Sequence, residues 1–239
     1  MDRFFVPPEA IENDRVCIVG EDAAHITRVL RLGAGDKIVV CDGACNEYTA
    51  CIESAQKEKV ELTLIEHQKS ITEPHHKVTL YQALPKSGKM ETIIQKCVEL
   101  GIYAVRPMIC ERCVVRPDGF EKKLARYQRV AYEAAKQSRR GIVPQVLPLL
   151  KLEDCDFSAH GLTLFAYEQE DKTTLRTVLK SCSATDDIAL IIGPEGGFEA
   201  DEARAIIARG GISVSLGTRI LRSETAGMAM LAMTLYELE

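Results

Sequence analysis

Residues 191–197 are Ile-Ile-Gly-Pro-Glu-Gly-Gly, and residues 216–226 are Leu-Gly-Thr-Arg-Ile-Leu-Arg-Ser-Glu-Thr-Ala. Each stretch is a glycine-containing turn at the end of an apolar run that is typical of a buried strand. Glycine lets a backbone approach a ligand closely, and open α/β sheets bind ligands at the carboxyl ends of their strands. The two turns therefore predict one binding site that is built from two strand ends.

Strands and helices alternate along the chain from residue 78 onward. The pattern predicts strands at residues 78–84, 104–109, 162–167, 188–192 and 213–216, and helices at residues 89–100, 120–138, 174–179, 199–208 and 224–238. Such alternation is typical of a mostly parallel sheet that is covered by helices on both faces. We therefore expect an α/β domain over residues 75–239.

The first part of the chain has a different pattern. Apolar or β-branched residues stand at near-alternate positions in residues 36–41, 47–54 and 59–66, with Asp42-Gly43 as a turn signal. One helix is predicted over residues 22–32, ending at Gly33. The pattern predicts a small β-rich domain over residues 1–70, with the polar residues 68–77 as a linker.

Composition and charge limit the classes of protein to consider. With 46% hydrophobic residues the chain is expected to be globular, and no apolar run approaches the roughly 20 residues that span a bilayer. The first residues lack a signal-peptide pattern, and nine scattered cysteines favour a reducing cytoplasm. The net charge is −5, but the segment from Lys86 to Arg140 contains thirteen Lys/Arg and six Asp/Glu. This basic block could bind a polyanion, although a solvated helix face would show the same charges.

Two short motifs are similar to known sites but lack residues that those sites need. Lys86-Ser87-Gly88-Lys89 is similar to the end of a phosphate loop, yet alanine and methionine stand where that motif needs glycine and a hydroxyl residue. Its lysines could instead contact nucleic-acid phosphates. Cys110 and Cys113 have the spacing of a metal knuckle or redox pair, but no second Cys or His pair completes a zinc site. We interpret them as ordinary buried thiols, with residues 113–115 in a strand.

The loop over residues 193–197 is more specific. The helix predicted after it offers free N–H groups to a phosphate, but Pro194 removes one donor, and nearby carboxylates repel a polyphosphate. A cationic or neutral nucleoside suits this loop better, with a tight turn that binds no ligand as the alternative. In the second turn Arg219 and Arg222 are paired cations, and Ala226 is among the small residues that open the last helix.

Together the two turns resemble those of the SPOUT (trefoil-knot) RNA methyltransferases, most closely the RsmE type, which methylates N3 of a uridine in small-subunit (16S) ribosomal RNA. The resemblance extends over nearly the whole chain. It includes Glu21-Asp22-Ala23-Ala24-His25 with Arg28-Val29-Leu30-Arg31, Lys89-Met90-Glu91 through Glu99-Leu100-Gly101, Glu111-Arg112-Cys113, and Gln137-Ser138-Arg139 with Pro144.

The resemblance implies a fold, a cofactor and partners. The family's first domain is a PUA-like β-barrel that helps to grip RNA, and its second is a SPOUT-like α/β domain whose C-terminal segment forms a trefoil knot. S-adenosylmethionine is expected to bind in a bent form between the knot loops, with no metal. Its expected contacts are Ile192, Gly193, Pro194, Glu195, Gly196, Gly197, Leu216, Gly217, Ile220, Leu221, Thr225 and Ala226. We expect a cytoplasmic homodimer that acts on 16S ribosomal RNA within the assembled small subunit.

The resemblance also implies a chemistry. The uracil N3–H must lose its proton, because the N3 lone pair is otherwise delocalised. Arg222 and Arg219 are expected to stabilise the developing anion, and Glu224 or Glu195 to accept the proton; alternatively, Arg222 and Glu224 only brace the knot. The residues expected to contact RNA phosphates are Arg28, Arg31, Lys86, Lys89, Arg112, Arg139 and Arg140.

Two other classes of function stay open at this point. A non-catalytic RNA-binding module would have basic patches and a degenerate cofactor pocket. A nucleotide-dependent hydrolase would use the glycine loops to bind a nucleotide together with a metal ion. Each ligand would stabilise the folded protein by mass action, so thermal shifts with S-adenosylmethionine or with ATP and Mg²⁺ separate these classes.

Overall fold

The computed structural model describes residues 1–86, 88–115, 119–182 and 185–239. The chain groups into two compact units, each with its own sheet. The first unit contains residues 1–73 together with residues 135–143, and the second contains residues 74–134 and 144–239. A short segment from the middle of the chain therefore completes the N-terminal unit.

The first unit is built on a six-stranded sheet in the order β1-β4-β5-β6-β3-β2. Its strands are β1 (Arg3–Phe5), β2 (Ile11–Glu12), β3 (Arg15–Val19), β4 (Lys37–Cys41), β5 (Asn46–Gln56) and β6 (Lys59–Lys69). Neighbouring strands are antiparallel except for β1 and β4. Alternate residues of β3 point inward, since Val16 and Ile18 are buried while their neighbours are exposed, as the period of a strand requires. These side chains join an apolar core with Ile38, Ile52 and Leu62.

The helix of the first unit differs from its prediction. It begins as α1 (Gly20–Ala24) and continues as a π-helical turn over His25–Val29. The Thr27 hydroxyl donates a hydrogen bond to the Ala23 carbonyl at 2.9 Å, and such side-chain bonds distort helices. Arg31, with a φ of 57°, then leaves the helix in the left-handed region. The predicted end at Gly33 is therefore wrong, because a non-glycine residue makes the turn.

Two arginine–carboxylate pairs are buried in the first unit. The Arg140 guanidinium donates to both oxygens of Glu73, with an Nη2–Oε2 distance of 2.6 Å, and the Gly141 N–H donates to the same carboxylate. Arg3 forms a similar two-bond pair with Glu47 and donates to the Arg140 carbonyl at 3.0 Å. Paired and hydrogen-bonded charges of this kind tolerate burial. The expectation that Arg140 contacts RNA phosphates is wrong, because its side chain is 3% exposed and neutralised by Glu73.

The second unit contains a parallel sheet in the order β10-β8-β7-β12-β11-β13, with β9 beside β8. Every pair of neighbours is parallel. The strands are β7 (Lys77–Ala83), β8 (Ala104–Ile109), β9 (Gln145–Val146), β10 (Leu150–Lys151), β11 (Leu162–Ala166), β12 (Asp187–Ile192) and β13 (Ile212–Val214). This arrangement confirms the predicted α/β class. The sequence did not indicate the two-residue edge strands β9 and β10.

Five α-helices of the described chain follow α1. They are α2 (Lys89–Glu99), α3 (Phe120–Gln137), α4 (Leu175–Ser181), α5 (Ala200–Ala208) and α6 (Ser223–Leu238). Their bounds agree with the predicted helices to within two residues, and Gly101 ends α2 with a φ of 102° as expected. Residues 113–115 form no strand, contrary to the prediction, because the chain turns just after β8 with the Cys113 N–H on the Cys110 carbonyl.

The last helix is apolar on nearly every side, and the structure buries most but not all of it. It packs against α2, α4, β7 and β12, with Met230 and Leu231 fully buried. Met233 is 39% exposed and Tyr236 is 87% exposed. The inner face of the helix is therefore buried within the chain, whereas part of its outer face is exposed. No helix in the described part of the chain is both long and apolar enough to cross a membrane.

We expect Glu73→Gln to destabilise the first unit by about 3–5 kcal/mol, because removing one partner of a buried pair leaves the Arg140 charge uncompensated. Urea denaturation of the whole protein, followed by circular dichroism, measures the change. Glu61→Gln is the matched control, since Glu61 forms an exposed pair with Lys59 and its loss should change stability little. Equal midpoints for the two variants would contradict the role of the Arg140–Glu73 pair.

Candidate functional site

A cavity of about 840 Å³ lies at the carboxyl edge of the parallel sheet. Its walls are the loops after β11, β12 and β13, the start of α6, and the side chain of Lys89. Eleven of the twelve residues expected to bind the cofactor line it, and only Thr225 does not. Arg219 and Arg222 also line it, whereas Glu224 lies just outside. The structure thus brings the two glycine turns together around one cavity.

The loop that follows β11 also contributes to the cavity, although it was not among the predicted site segments. Glu168, Glu170 and Asp171 belong to this loop and line the cavity. Hydrogen bonds from the Ser213 hydroxyl and from the Thr173 and Lys172 N–H groups lower the pKa of Glu170 to about 2. A signal was present, because an acidic stretch directly follows a buried parallel strand whose end must lie at the same edge.

The glycines of the first turn are needed mainly by the protein itself. A Cβ at Gly197, where φ is 70°, would stand 2.2 Å from a Glu168 carboxylate oxygen. A Cβ at Gly193 would stand 3.0 Å from the Phe198 ring. Gly217 differs, since no atom lies within 4 Å of the Cβ position there, although its φ of 117° still favours glycine. Packing within the chain and backbone conformation therefore account for glycine at these three positions.

Arg112 braces the first turn. Its Nε lies 2.7 Å from Glu199 Oε1, and its Nη1 donates to the Gly196 carbonyl at 2.7 Å. Glu199 also forms a capping box with Glu202 at the start of α5, and Glu202 accepts the Glu111 N–H. The N-terminus of α5 is thus satisfied by carboxylates of the chain, which disfavours a phosphate there. Arg112, expected to contact RNA, thus donates from Nε and Nη1 to groups at this loop, and its side chain is 42% exposed.

Lys89 joins two carboxylates. Its Nζ lies 3.0 Å from Glu224 Oε1 and 3.6 Å from Glu195 Oε1, and Glu195 Oε1 also accepts the Lys86 N–H at 2.9 Å. Burial acts to raise the pKa of Glu195, but the Lys86 N–H and the charge of Lys89 outweigh it and lower that pKa. Burial opposes the same change at Glu224, whose pKa is lowered by its own N–H, by Lys89 and by Arg222. Both candidate proton acceptors are therefore carboxylates that share one ammonium group.

A hydrogen-bonded chain ties the sheet to both turns. The Gln82 amide in β7 donates to Ser223 Oγ at 2.9 Å, and the Ser223 hydroxyl donates to the Gly193 carbonyl at 2.7 Å. Ser223 is buried at the start of α6. These bonds fix the first turn against α6, so the cavity has a preformed wall.

Arg219 and Arg222 are the cations at the mouth of the cavity. Both are exposed, and within the described chain neither forms an ion pair or side-chain hydrogen bond, in contrast to Lys89 and Arg112. Arg222 occupies the N-cap position of α6 with extended backbone angles. Its charge is therefore available to an anionic group in the cavity.

The other exposed residues expected to contact RNA do not line the cavity. Arg28, Arg31 and Arg139 are exposed in the first unit, and Lys86 is exposed in the second. Ser87 of the motif that contains Lys86 lies outside the described residues. The seven residues expected to contact RNA thus separate into four exposed cations, the two cations Lys89 and Arg112 that pair with carboxylates at the cavity turns, and the buried Arg140.

The Cys110–Cys113 pair lies beside Arg112 but shows no metal site. Cys110 is buried, and its N–H donates to Cys113 Sγ at 3.3 Å. A hydrogen bond from the Cys110 thiol lowers the pKa of Cys113 to about 7. No group of three or more His, Cys, Asp or Glu side chains among the described residues is arranged to hold a metal ion.

Comparisons with known proteins agree with this geometry. A family model for an RNA methyltransferase domain matches residues 72–235, and a model for an RNA methyltransferase PUA domain matches residues 18–65. Ribosomal RNA small subunit methyltransferase E of Bacillus subtilis is 32% identical over 100% of this chain and 98% of its own length. The Synechocystis protein of the same name is 35% identical over 96% and 76%.

A solved structure extends the agreement to the whole fold. The crystal structure of ribosomal RNA small subunit methyltransferase E from Neisseria gonorrhoeae, bound to S-adenosyl methionine, is 30% identical. It superposes with a TM-score of 0.83 over 98% of this chain and 96% of that one. The resemblance seen in the two turns is confirmed, and the chain belongs to the family of ribosomal RNA small subunit methyltransferase E, within the RNA methyltransferases.

Proposed function

We propose that this protein transfers a methyl group from S-adenosylmethionine to N3 of a uridine in 16S ribosomal RNA. The observation that carries the proposal is the cavity at the sheet edge, which both family turns line. Its relatives are named ribosomal RNA small subunit methyltransferases. A non-catalytic RNA-binding role does not account for a preformed cavity of this size.

The residues present fit a cationic nucleoside. A volume of about 840 Å³ lies within the range of small-molecule sites. The lining contains four carboxylates, those of Glu168, Glu170, Asp171 and Glu195, and three cationic side chains. This balance favours a ligand with positive charge over a polyphosphate. When bound, S-adenosylmethionine would supply an activated methyl group on a sulfonium centre, and the loops over residues 192–197 and 216–226 would hold it.

The side chains at the mouth account for the chemistry at the uracil. As N3 loses its proton, negative charge spreads onto the uracil oxygens. Arg222 and Arg219 stabilise this charge, because both are exposed and form no ion pair with the described residues. Glu195 accepts the proton, because it lines the cavity. Glu224 lies outside the lining, and its Oε2 is buried without a hydrogen-bond partner in the described chain. We therefore assign Glu224 a supporting role in the site and not the role of proton acceptor.

RNA binding is assigned to exposed cations that do not line the cavity. Arg28, Arg31 and Arg139 in the first unit and Lys86 in the second can neutralise phosphates, which positions an RNA without reading its bases. The target base must leave its stack to enter the cavity, as other base-modifying enzymes require.

Family membership supports further proposals about topology, assembly and compartment. We propose that the segment ending in α6 is threaded as a trefoil knot, and that the protein is a homodimer acting in the cytoplasm on the assembled small subunit. The exposed Met233 and Tyr236 near the carboxyl end of α6 support a protein contact there. The nine free cysteines support a reducing compartment.

We expect Arg222→Ala to slow methyl transfer by roughly two to three orders of magnitude, because a preorganised cation at the developing charge is lost. Single-turnover reactions with labelled S-adenosylmethionine, on free 16S ribosomal RNA and on small subunits, measure the rate, and mass spectrometry of nucleosides identifies the product. Arg204→Ala, on the exposed face of α5, is the control. Absence of 3-methyluridine in the wild-type reaction would refute the proposed function, and a wild-type rate for Arg222→Ala would make that arginine architectural.

A valine at Gly196 should weaken cofactor binding. Its Cβ would lie 3.2 Å from the Arg112 stem, so the bond from Arg112 to the Gly196 carbonyl would be disturbed and the loop displaced. Calorimetric titration with S-adenosylmethionine should show an affinity at least about tenfold lower, equivalent to roughly 1.4 kcal/mol. Gly33→Val is the control. Gly33 lies in the first unit, and a Cβ there would meet no atom within 4 Å. Undiminished binding by Gly196→Val would remove this loop from the cofactor site.

Replacing Arg28, Arg31 and Arg139 together by glutamine should weaken RNA binding and flatten its salt dependence. Each lost phosphate contact removes roughly 0.7–0.9 from the log–log slope, while cofactor affinity stays constant. Filter binding over a salt series measures the RNA affinity and the slope of its salt dependence. The control replaces Lys59, Lys151 and Lys180 by glutamine. These lysines are exposed and pair with carboxylates, so RNA binding should stay unchanged. If both triple variants bind RNA like the wild type, the RNA surface lies elsewhere.

A further inference from the structure

Lys89 was expected to contact RNA phosphates, but its surroundings are those of an internal charge. Its side chain is 30% exposed, and the two carboxylates it meets are 25% and 18% exposed. A phosphate brought to this ammonium group would also be brought to Glu195 and Glu224, whose negative charges repel it. The position therefore fits a role inside the site better than a role on the RNA surface.

Helix stability does not explain a lysine at this position. Lys89 is the first residue of α2, directly after Gly88, which has a φ of 75°. A cation is disfavoured at a helix N-terminus, where the macrodipole is positive. The contacts with Glu195 and Glu224 offset this penalty, so the residue is accounted for by the site and not by the helix.

The three charges connect three separate segments of the chain. Lys89 follows β7, Glu195 lies in the turn after β12, and Glu224 lies in the first turn of α6. The contacts hold both cavity turns at fixed positions relative to the end of β7. Around Glu195 the charged groups are Lys86 and Lys89, and around Glu224 they are Lys89 and Arg222. Lys89 is the cation common to both carboxylates.

We propose that Lys89 is a positioning residue for methyl transfer: its ammonium group holds Glu195 and Glu224 together as carboxylates and sets the geometry in which Glu195 accepts the uracil proton. The inference rests on the proposed function. It assigns to the site a residue that the basic block of the sequence had assigned to RNA, and it requires no contact between Lys89 and RNA.

The test compares Lys89→Met, which removes the charge, with Lys89→Arg, which keeps it. Lys96→Met is the matched control, because Lys96 lies on the same helix and pairs with Glu99 away from the cavity. Three quantities are measured: the single-turnover rate against pH with saturating RNA and cofactor, the titration of the Glu195 and Glu224 carboxyl carbons by ¹³C NMR, and RNA affinity over a salt series.

We expect Lys89→Met to slow the reaction roughly tenfold or more at neutral pH. Lys89 lowers both carboxyl pKa values, so its removal raises them, and the acidic limb of the rate profile moves to higher pH. The NMR titrations should move in the same direction, Lys89→Arg should restore both, and Lys96→Met should match the wild type. RNA affinity and its salt slope should not change.

The inference is overturned if the carboxyl titrations of Lys89→Met equal those of the wild type. It is also overturned if this variant loses RNA affinity and salt slope while its pH profile stays unchanged, which is the outcome for a phosphate contact. Failure of the proposed function is detected separately, because the wild-type protein would then form no methylated uridine. The NMR titrations test the inference even in that case, since they need no turnover.

Discussion

Parallel pairing of β12 with β7 on one side and with β11 on the other determines where every part of the site can lie. Ile192 pairs with Gln82, and Ile191 pairs with Phe165, so these strands end at nearly the same level. Because parallel strands share their carboxyl edge, the loops that follow them must converge there. The cavity, the Lys89 contacts and the Gln82–Ser223–Gly193 hydrogen bonds all depend on this register.

The charges around that edge are divided between architecture and chemistry. Arg112 and Lys89 already contact carboxylates in or beside the cavity walls, and Arg112 also contacts a carbonyl there, whereas Arg219 and Arg222 form no ion pair with the described residues. A preorganised site needs both kinds, because fixed walls reduce the reorganisation that a developing charge would otherwise demand. A chain with a net charge of −5 can therefore still present local cations to a nucleic acid, as Arg219 and Arg222 do at the cavity.

Local patterns predicted most elements of the fold, and long-range pairing explains what they could not predict. Helix and strand bounds depend on periodicity and caps within a few residues, so they were predicted closely, as were the two turns. The burial and contacts of Arg140, Arg112 and Lys89 depend on partners that lie 67 or more positions away in the sequence. Nothing nearby in the sequence distinguishes these three residues from surface cations. The helix end at Arg31 was not predicted for a different reason. Residue type alone favours Gly33 as the residue with a positive φ, whereas the structure places Arg31 in that conformation.

The tight packing around the first turn limits which amino-acid substitutions the chain can accept during evolution. Gly193 is held against Phe198, and Gly197 against Glu168. A larger residue at Gly193 is therefore sterically compatible only with a smaller partner at position 198, while at Gly197 the backbone angle adds a second barrier. Sequence drift at these positions should proceed by coupled replacements, and a suppressor screen starting from Gly193→Ala would be expected to return substitutions at Phe198 before any at the cavity mouth.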